Sequence, residues 1–456
     1  MMNQKNILYV CALFCVGFII FYQLLYRFDN SRSYKNIGTN ASIGYTQSIG
    51  TWMSTSAQNG TTNLLHDRAL LKQRPKILIW AKPYHKIEWR LTDLPEQEGG
   101  CDVTLDRNEY ESSDAVLFYM KSCVAKDLPD PSKRSSHQVF AWWAHESPWT
   151  VLHYYHHELK DFNNYFNWTM TYRRDSDVLA SFAPTPSLDY LLYKFDRQNE
   201  MKDAELVKYP TMSEDRFRKE IGLLMAKKSK LIAWVVSDCS VVAGASKRMK
   251  LVDDMTKDGL LEVERFGKCA NRPIPNDFNV FLETIAPFKF YLSFENSLHC
   301  RDYITEKTFY NALVGGIIPV IHGPTKEDAI KILPKRSFIH LEDFENLNKL
   351  AEYLKYLDSN DTAYLEYFDW WKEPGTHVIP RYGFNFGPQH DYSNYSNWFH
   401  IWKTDDVMQK DMMEFERFGL YHLCRKLRNK EHITKPKVIA DLNQWWYGTE
   451  SEECMR

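Results

Sequence analysis

The sequence predicts an α/β protein built from two doubly wound units of similar size that leave a cleft between them. In the second half of the chain, short apolar runs alternate with helical stretches from LIAWVV (231–236) onward. In the first half, KILIW (76–80), DAVLFYM (114–120) and HQVFAWW (137–143) are similar apolar runs, separated by loops and helical stretches. Strands that alternate with helices in this way are typical of a parallel sheet.

In the second half, the lengths of the apolar runs and the spacing of their apolar residues predict each strand and helix. Apolar runs of about four to eight residues favour buried strands, and longer stretches with apolar residues three or four positions apart favour helices. A charged helical segment ending in KKSK (227–230) precedes this half. The predicted order is then strand LIAWVV (231–236), helix SKRMKLVDDMTKDG (246–259), strand LEVERFG (261–267), helix DFNVFLETIAPF (277–288), strand KFYLSF (289–294), helix TEKTFYNALV (305–314), strand GIIPVI (316–321), helix KEDAIKIL (326–333), strand SFIHL (337–341) and helix NLNKLAEYLKYL (346–357).

The N-terminal region predicts a membrane anchor. Residues 7–26 carry no charge, and as a helix they would span about 30 Å, the thickness of a bilayer core. We expect an uncleaved signal anchor, with residues 1–6 as a cytoplasmic tail and residues 27–75, rich in Ser, Thr, Asn and Gly, as a stem. Five N-glycosylation sequons follow the anchor and favour a lumenal body: Asn40, Asn59, Asn167, Asn360 and Asn394.

Composition and cysteine usage narrow the possibilities. The formal net charge is −2, so no basic excess favours nucleic-acid binding, and 44% hydrophobic residues allow a sizeable core. Cys11 and Cys15 lie in the predicted anchor, which leaves seven of the nine cysteines for the body. An oxidising lumen permits disulfide bonds, and an odd number predicts at least one free or intermolecular thiol.

Polar residues cluster where elements meet within FYLSFENSLHCRDYITEKTFYNALVGGIIPVIHGP (290–324). Glu295 and Asn296 follow a predicted strand, at the edge where open α/β sheets bind ligands. Glu306 and Lys307 begin the next helix, whose free N–H groups favour anions. Glu306 can accept hydrogen bonds from two ribose hydroxyls, and Lys307 offers a point charge for phosphate. This loop is therefore a candidate nucleoside diphosphate site.

A purely structural interpretation of the same loop stays open. Asp302 or Thr305 could cap the following helix, with Glu306 favourable in its first turn, and on physical grounds alone we favour that arrangement. No GxGxxG or Walker glycine pattern is present, which argues against a dinucleotide or ATP site.

Two further candidates lie at other predicted strand ends. Arg248 follows the strand LIAWVV and could clamp a diphosphate bidentately, although a solvated helix face is the simpler interpretation of a basic cluster. Glu146 follows an apolar run in WWAHESPWT (142–150), and in an aromatic-lined cleft it could act as a general base on a hydroxyl. A polar loop residue is the structural alternative.

The segment FNWTMTYRRDSDV (166–178) offers a possible metal site. Asp175 and Asp177 match the short DxD pattern that one class of glycosyltransferases uses to hold a divalent metal, although three residues are weak evidence and a turn is the simpler interpretation. Arg173 and Arg174 are instead candidates for an anionic ligand. HYYHH (153–157) has two histidines on one helical face but no evident carboxylate partner, so we interpret it as structural or surface.

These segments together resemble a known family. FYLSFENS followed by DYITEK closely resembles the signature of the α1,3/4-fucosyltransferases. The resemblance covers roughly residues 76–372, and the tail segments HLCRKL and DLNQWWYG look most like invertebrate members. Other segments agree in order, namely KILIW, CDVT, HESP, FNWTMTYRRDSD, LIAWVVSDC, FGKC, GGIIPVIHGP and SFIHLEDF.

The resemblance implies a GT-B fold behind the transmembrane signal anchor. We expect a Rossmann-like acceptor domain (76–228), a Rossmann-like donor domain (229–372) and a C-terminal tail (373–456) that packs back on both. It also implies a single-pass type II Golgi membrane protein with a lumenal catalytic body.

The resemblance further implies an inverting reaction that moves L-fucose from GDP-β-L-fucose to O3 of N-acetylglucosamine on glycoprotein or oligosaccharide acceptors. Glu146 would be the general base, and Arg248 and Lys307 would stabilise the departing diphosphate. No metal is obligatory, and stimulation by manganese is left open. The remaining donor-binding residues would be Asn296, Tyr303, Glu306, Glu295 and Arg174.

The cysteines of the tail depart from the Lewis-type vertebrate members, which end in a short CxxC segment. Cys424 and Cys454 are widely spaced here, which leaves open whether the acceptor is the N-glycan core or an antennal N-acetylglucosamine. Cys239 and Cys269 end two adjacent predicted strands and could pair. Two alternatives remain: a metal-dependent GT-A enzyme that uses Asp175 and Asp177, or a non-catalytic, lectin-like lumenal protein.

Overall fold

The computed structural model describes residues 74–83, 100–184, 187–201, 212–240, 243–275, 277–373, 415–430, 437–448 and 454, all within one compact unit, residues 72–456. The predicted anchor, most of the predicted stem and the sequons at Asn40, Asn59 and Asn394 lie outside these residues. Among the helices described, none has both the length and the apolar character to span a bilayer.

The first half contains a six-stranded parallel sheet with strand order β2-β1-β3-β4-β5-β6. Its inner strands β3 and β4 are buried at every residue, because helices and loops cover both faces of a parallel sheet. The strands are β1 (Lys76–Ala81), β2 (Asp102–Thr104), β3 (Ala115–Tyr119), β4 (Val139–Ala144), β5 (Trp168–Thr171) and β6 (Val178–Leu179).

The second half contains a five-stranded parallel sheet with strand order β11-β10-β9-β7-β8. Its central strand β9 is buried along its whole length, and it pairs with β7 on one side and β10 on the other. The strands are β7 (Lys230–Val235), β8 (Val263–Phe266), β9 (Phe288–Phe294), β10 (Ile318–His322) and β11 (Ile339–His340).

Helices connect and flank these strands, and side-chain caps fix where several of them begin. Ser213, Thr325 and Asn346 each accept a hydrogen bond from a first-turn backbone N–H. The α-helices are α1 (Leu188–Lys194), α2 (Glu214–Met225), α3 (Ala243–Thr256), α4 (Phe278–Ile285), α5 (Lys326–Ile332), α6 (Leu347–Ser359), α7 (Asp361–Leu365), α8 (Phe415–Arg428) and α9 (Leu442–Tyr447), and two π-helices span Thr150–Tyr154 and Lys307–Val314.

The predicted α/β class with parallel sheets is confirmed. The three apolar runs of the first half form β1, β3 and β4, and the alternation predicted for the second half is present throughout. The helix predicted over residues 305–314 differs, because Lys307–Val314 winds as a π-helix. The strands β2, β5 and β6 were not predicted, and the division into an acceptor and a donor domain remains a prediction.

The C-terminal helices pack against the first half. Gly419 of α8 approaches β5 and β6 so closely that an added Cβ would lie 2.4 Å from Met170 Cε and 2.8 Å from Ala180 Cβ, so glycine is required there. In α9, the Trp446 ring meets the Trp142 ring of β4 edge-on, with centroids 4.9 Å apart.

Disulfide bonds also tie the C-terminal segment to the body. Cys424 bonds Cys101 at the start of β2, and Cys454 bonds Cys300 in the loop after β9. The predicted pair Cys239–Cys269 is present. Among the described cysteines, Cys123 has a free, buried thiol, which agrees with the odd count.

Candidate active site

The loops after β4 and β9 meet, and this contact brings the carboxyl ends of the two sheets together. Ser147 Oγ and Ser297 Oγ are 2.7 Å apart in a buried hydrogen bond between the loops. Beside them, Tyr303 Oη donates to Glu146 Oε2 at 3.4 Å. Both loops follow the carboxyl ends of parallel strands, where ligands bind in α/β proteins.

Glu146 lies two residues after β4, and burial and Lys307 shift the pKa of its carboxylate in opposite directions. Burial raises the pKa of Glu146 above its ordinary value of 4.5, and the Lys307 ammonium partly opposes that shift. A carboxylate held in this way accepts a proton from a hydroxyl more readily than an exposed one does. The helix that follows, Thr150–Tyr154, is one of the two π-helices, which occur frequently at functional sites.

Tyr303 is buried and connects the two halves. Besides its bond to Glu146, its ring packs against Tyr172 and Phe182 of the first half, with centroids 5.1 and 6.1 Å away. Burial and the neighbouring carboxylate of Glu146 raise the pKa of Tyr303, so its hydroxyl stays protonated and acts as a donor. Tyr303 therefore orients the Glu146 carboxylate.

Lys307 is held between two carboxylates at the start of its π-helix. Its Nζ lies 3.1 Å from Glu295 Oε2 and 3.0 Å from Glu306 Oε1. Burial lowers the pKa of Lys307, but the two carboxylates outweigh burial and raise it, so the amine is charged at neutral pH. A buried, permanently charged ammonium at the carboxyl edge of the sheet suits an anionic ligand.

The two carboxylates differ in their surroundings. Glu295 is fully buried, and the backbone N–H and the hydroxyl of Thr305 both donate to it at 2.9 Å. Burial raises the pKa of Glu295, although Lys307 opposes it. Glu306 is only partly buried; burial opposes its ionisation, but Lys307 and Thr305 together outweigh burial and lower its pKa. Glu306 is thus the carboxylate available to a ligand.

The capping interpretation of this loop is not what the structure has. Glu306 occupies the N-cap position and makes no side-chain cap bond. Thr305 donates its hydroxyl to Glu295, and Asp302 binds an arginine of the first half.

Arg248 and Asn296 lie beside this group with unsatisfied polar atoms. Arg248 is buried, and its terminal nitrogens donate to the carbonyls of Phe294 and Asp238 at 2.9 Å. Its buried Nε and the buried Oδ1 of Asn296 have no hydrogen-bond partner in the part of the chain described. Buried polar atoms normally have partners, so these two atoms have hydrogen-bonding capacity left for a ligand. The solvated-face interpretation of Arg248 is wrong.

Gly244 lets α3 approach the loop that carries Asn296. An added Cβ at Gly244 would lie 2.1 Å from the Asn296 carbonyl oxygen, so any larger residue would push the helix off the loop. The N-terminal end of α3 and Arg248 therefore sit directly against the carboxyl end of β9.

Arg174 occupies a different position from the group around Lys307. Its Nε donates to Asp302 Oδ1 at 2.6 Å, and its Nη2 donates to Asp328 Oδ1 at 2.9 Å. These bonds link the loop after β5 to the residue preceding Tyr303 and to α5. Arg174 thus holds the Tyr303 loop, and its contact with a donor remains a prediction.

The two aspartates of the DSD triplet already pair with cations. Asp175 binds Arg173 at 2.8 Å and Arg301 at 3.1 Å. Asp177 binds Lys437 at 2.6 Å, and its other oxygen accepts from the Thr169 backbone. The described residues contain no group of three His, Cys, Asp or Glu side chains placed to hold a metal ion. The paired carboxylates favour a structural role for the triplet.

Family models match most of the body of this chain. Residues 72–183 match the model described as fucosyltransferase, N-terminal, and residues 225–381 match the model described as glycosyltransferase family 10 (fucosyltransferase) C-term. The chain belongs to the family 10 fucosyltransferases. The predicted family is therefore confirmed.

Curated relatives agree with this assignment. This fucosyltransferase is 34% identical over 303 residues, 65% of this chain and 71% of the relative, to the Bos taurus 3-galactosyl-N-acetylglucosaminide 4-alpha-L-fucosyltransferase. It is 34% identical over 310 residues, 67% of this chain and 74% of the relative, to the Mus musculus 4-galactosyl-N-acetylglucosaminide 3-alpha-L-fucosyltransferase 9.

One solved structure, an alpha1,3-fucosyltransferase with GDP-fucose, matches with a TM-score of 0.40 and 20% identity, covering 77% of this chain and 94% of that chain. That similarity is too low for a residue-by-residue comparison.

Sequence reasoning missed the contacts that join the two halves of this fucosyltransferase. Ser147 and Ser297 each lie within a motif named above, but no sequence pattern predicts a contact between two serines 150 positions apart. Asp328 is an ordinary first-turn acid of α5 in the sequence, yet it binds Arg174. Only the position of each residue just after a strand, or at a helix start, offered a signal.

Proposed function

We propose that this fucosyltransferase is an inverting α1,3-fucosyltransferase of GT-B architecture that moves L-fucose from GDP-β-L-fucose to O3 of N-acetylglucosamine on glycoprotein glycans. The observation that carries the proposal is the contact between Glu146 and Tyr303 across the two halves, with the Lys307 ammonium near enough to influence the Glu146 carboxylate. This transfer requires a base for the acceptor hydroxyl and a fixed cation for the departing diphosphate.

In the proposed step, the acceptor O3–H gives its proton to the Glu146 carboxylate. The O3 oxygen attacks C1 of fucose from the face opposite the leaving group, and the bond from C1 to the GDP oxygen breaks. GDP leaves with the bonding electron pair. Attack from the opposite face converts the β-linked donor into an α-linked product.

The proposed donor site uses the residues around Lys307. Lys307 and Arg248 face the negative charge that grows on the departing diphosphate, and they are held in place before the reaction, so no reorganisation is needed. Glu306 accepts from ribose hydroxyls, while Asn296 offers its unpartnered Oδ1. Glu295 and Arg174 act by holding Lys307 and the Tyr303 loop.

The printed names of the relatives favour a galactosylated acceptor. The bovine relative is named for 3-galactosyl-N-acetylglucosaminides and the mouse relative for 4-galactosyl-N-acetylglucosaminides. By similarity, we propose antennal N-acetylglucosamine, with the N-glycan core as the alternative acceptor. We also propose a single-pass type II Golgi location with a lumenal body.

The test follows GDP release from GDP-fucose by the purified full-length chain. Two acceptors are compared, N-acetyllactosamine and a paucimannose N-glycopeptide, each with and without EDTA. Turnover on either acceptor that persists in EDTA supports the proposal and identifies the acceptor class. Turnover abolished by EDTA would favour the metal-dependent alternative, and GDP binding without turnover on any N-acetylglucosamine acceptor would favour the non-catalytic one.

A further inference from the structure

An aromatic cavity of about 340 Å³ lies between the edge strand β11 and the helices α6 and α7. Tyr353 and Tyr367 join their hydroxyls across it at 2.8 Å, and the Arg336–Glu366 ion pair lies at its rim. Tyr356 is 49% exposed, so its ring is accessible. The lining residues are Arg336, Phe338, Tyr353, Tyr356, Ala363, Glu366 and Tyr367.

This cavity is separate from the candidate active site. Arg336 and Phe338 precede β11, so they lie at the amino edge of the parallel sheet. Glu295 and Lys307 lie at the opposite, carboxyl edge, because Glu295 follows β9. The proposed donor site therefore does not use the cavity.

The side chain of Asn360 contacts two residues that line the cavity. Its Oδ1 accepts from the Ala363 backbone N–H at 3.1 Å and so caps α7, and its Nδ2 donates to Tyr356 Oη at 3.1 Å. Asn360, Asp361 and Thr362 form a sequon, and Thr362 is exposed. A substituent on Nδ2 would begin beside the exposed Tyr356 ring.

The sequon at Asn167 contacts the backbone of two other segments. Its Oδ1 accepts from the Phe140 backbone N–H at 2.8 Å and from Arg134, and its Nδ2 donates to the Lys437 carbonyl at 2.8 Å. In each of the two described sequons, Nδ2 therefore donates one hydrogen bond and has a second hydrogen that a glycan could replace.

We propose that Asn360 carries an N-linked glycan whose first N-acetylglucosamine packs on Tyr356 in this aromatic cavity. The reaction uses a polyprenyl-pyrophosphate-linked oligosaccharide: Nδ2 bonds C1 of the sugar, the bond from C1 to the pyrophosphate breaks, and one Nδ2 proton leaves with the lipid pyrophosphate. Nδ2 keeps its second hydrogen and Oδ1 is unchanged, so the cap of α7 persists. Aromatic faces supply rigid apolar area for the C–H face of a sugar, and hydroxyls at the rim supply hydrogen bonds.

The first experiment maps site occupancy on the full chain expressed in insect cells. Enzymatic deglycosylation in ¹⁸O-water converts each glycosylated Asn to labelled Asp, which mass spectrometry assigns. We expect Asn360 to be occupied. Glycan at Asn40, Asn59, Asn167 or Asn394 would show that the chain reached the lumen, so an empty Asn360 in that sample would overturn the proposal.

The second experiment tests packing. Peptide-N-glycosidase acts on the native protein, and we expect it to release the Asn360 glycan about tenfold more slowly from the wild type and Tyr356→Phe than from Tyr356→Ala, which removes the ring. Equal rates in all three proteins would mean that the glycan projects into solvent.

A matched pair of sequon variants tests whether the glycan stabilises the fold. Thr362→Ala removes the sequon but leaves Asn360 and its cap, and Thr362→Ser retains the sequon. We expect Thr362→Ala to lower Tm relative to Thr362→Ser, and this difference to disappear when Tyr356 is also Ala. An unchanged difference in the Tyr356→Ala background would contradict the packing.

Discussion

The chemistry proposed for this enzyme depends on the balance of charge at two side chains, Glu146 and Lys307. Burial disfavours the charged form of both groups. However, Glu295 and Glu306 keep Lys307 charged, and Lys307 in turn limits how far burial raises the pKa of Glu146. The site therefore holds a carboxylate whose pKa lies above its ordinary value beside a cation that stays charged at neutral pH.

Removal of the base should stop transfer without removing the donor. We expect Glu146→Gln to lower kcat by about 10²- to 10⁴-fold, because the amide cannot take the acceptor proton, while GDP affinity stays close to that of the wild type. Steady-state GDP release and calorimetric GDP binding measure the two effects. Glu158→Gln, an exposed carboxylate on the same segment, is the control. Near-normal turnover by Glu146→Gln would remove Glu146 from the role of base.

Replacement of Lys307 should change both donor binding and pH dependence. We expect Lys307→Gln to weaken GDP binding by about 10- to 100-fold, as for loss of one charged hydrogen bond. The base must be ionised, so activity is lost as pH falls through the pKa of Glu146. Lys307 lowers that pKa, so its removal should move the acid limb of kcat/KM to higher pH. Lys331→Gln, on the exposed face of α5, should leave the limb in place, and a shift to lower pH in Lys307→Gln would contradict the charge assignment.

At the scale of helices and strands, one buried histidine is among the contacts that hold α8. The Leu179 backbone N–H of β6 donates to His422 Nδ1 at 2.9 Å, so Nδ1 carries no proton. The other nitrogen, Nε2, therefore carries the hydrogen and donates to Glu200 Oε2 at 3.1 Å. Burial lowers the pKa of His422 to about 3, and the bond to Glu200 only partly opposes that shift. The docked helix thus requires a neutral imidazole.

This requirement predicts acid sensitivity. The unfolded chain protonates His422 near pH 6.5 and the folded chain does not, so stability is lost as pH falls below 6.5. At pH 4.5 the loss should be about 2–3 kcal/mol. His422→Gln can make both hydrogen bonds without titrating, so we expect a smaller fall of Tm between pH 7 and 4.5 than in the wild type. Parallel Tm–pH curves for the two proteins would show that His422 does not titrate on unfolding.

The sequence predicted the strands that an apolar run marks and missed three short strands of the first sheet. β3, β4 and β9 are buried at every residue, and a predominantly apolar run marks each of them. β2 has three residues and β6 has two, which is too short to show a period. The π-helix at Lys307–Val314 is not visible in residue spacing, and we have no physical account of why that helix winds so.

In the candidate site too, the sequence predicted residues whose position follows from topology and missed contacts between distant residues. Position after a strand or at a helix start predicted Glu146, Glu295, Asn296 and Lys307, because topology alone brings such residues to one edge of a sheet. Arg174 was expected to contact the donor from its charge, but charge does not reveal that Asp302 and Asp328 bind it. Contacts between residues far apart in the chain need the fold.

At the scale of the whole molecule, disulfide bonds join the ends of the body. Cys101–Cys424 closes a separation of 323 residues, and Cys239–Cys269 closes one of 30. A longer closed loop restricts the unfolded chain more, so the first bond should stabilise the fold by roughly 2 kcal/mol more than the second.

We therefore expect Cys424→Ser to lower Tm more than Cys269→Ser does. Cys101→Ser should match Cys424→Ser, and the double variant should be no worse than either single one, because both remove the same bond. Thermal unfolding at fixed redox potential measures all four proteins. Additive losses in the double variant would show that each cysteine acts through its packing instead.

The bond between Cys300 and Cys454 has a practical consequence for making this enzyme. Cys300 lies three residues before Tyr303, so the loop that carries Tyr303 is bonded to residue 454. A recombinant chain shortened before that residue would leave Cys300 without its disulfide partner. Production in a reducing cytosol would omit all three bonds at once, so oxidative secretion of the chain through residue 454 is the appropriate route to material for crystallisation or assay.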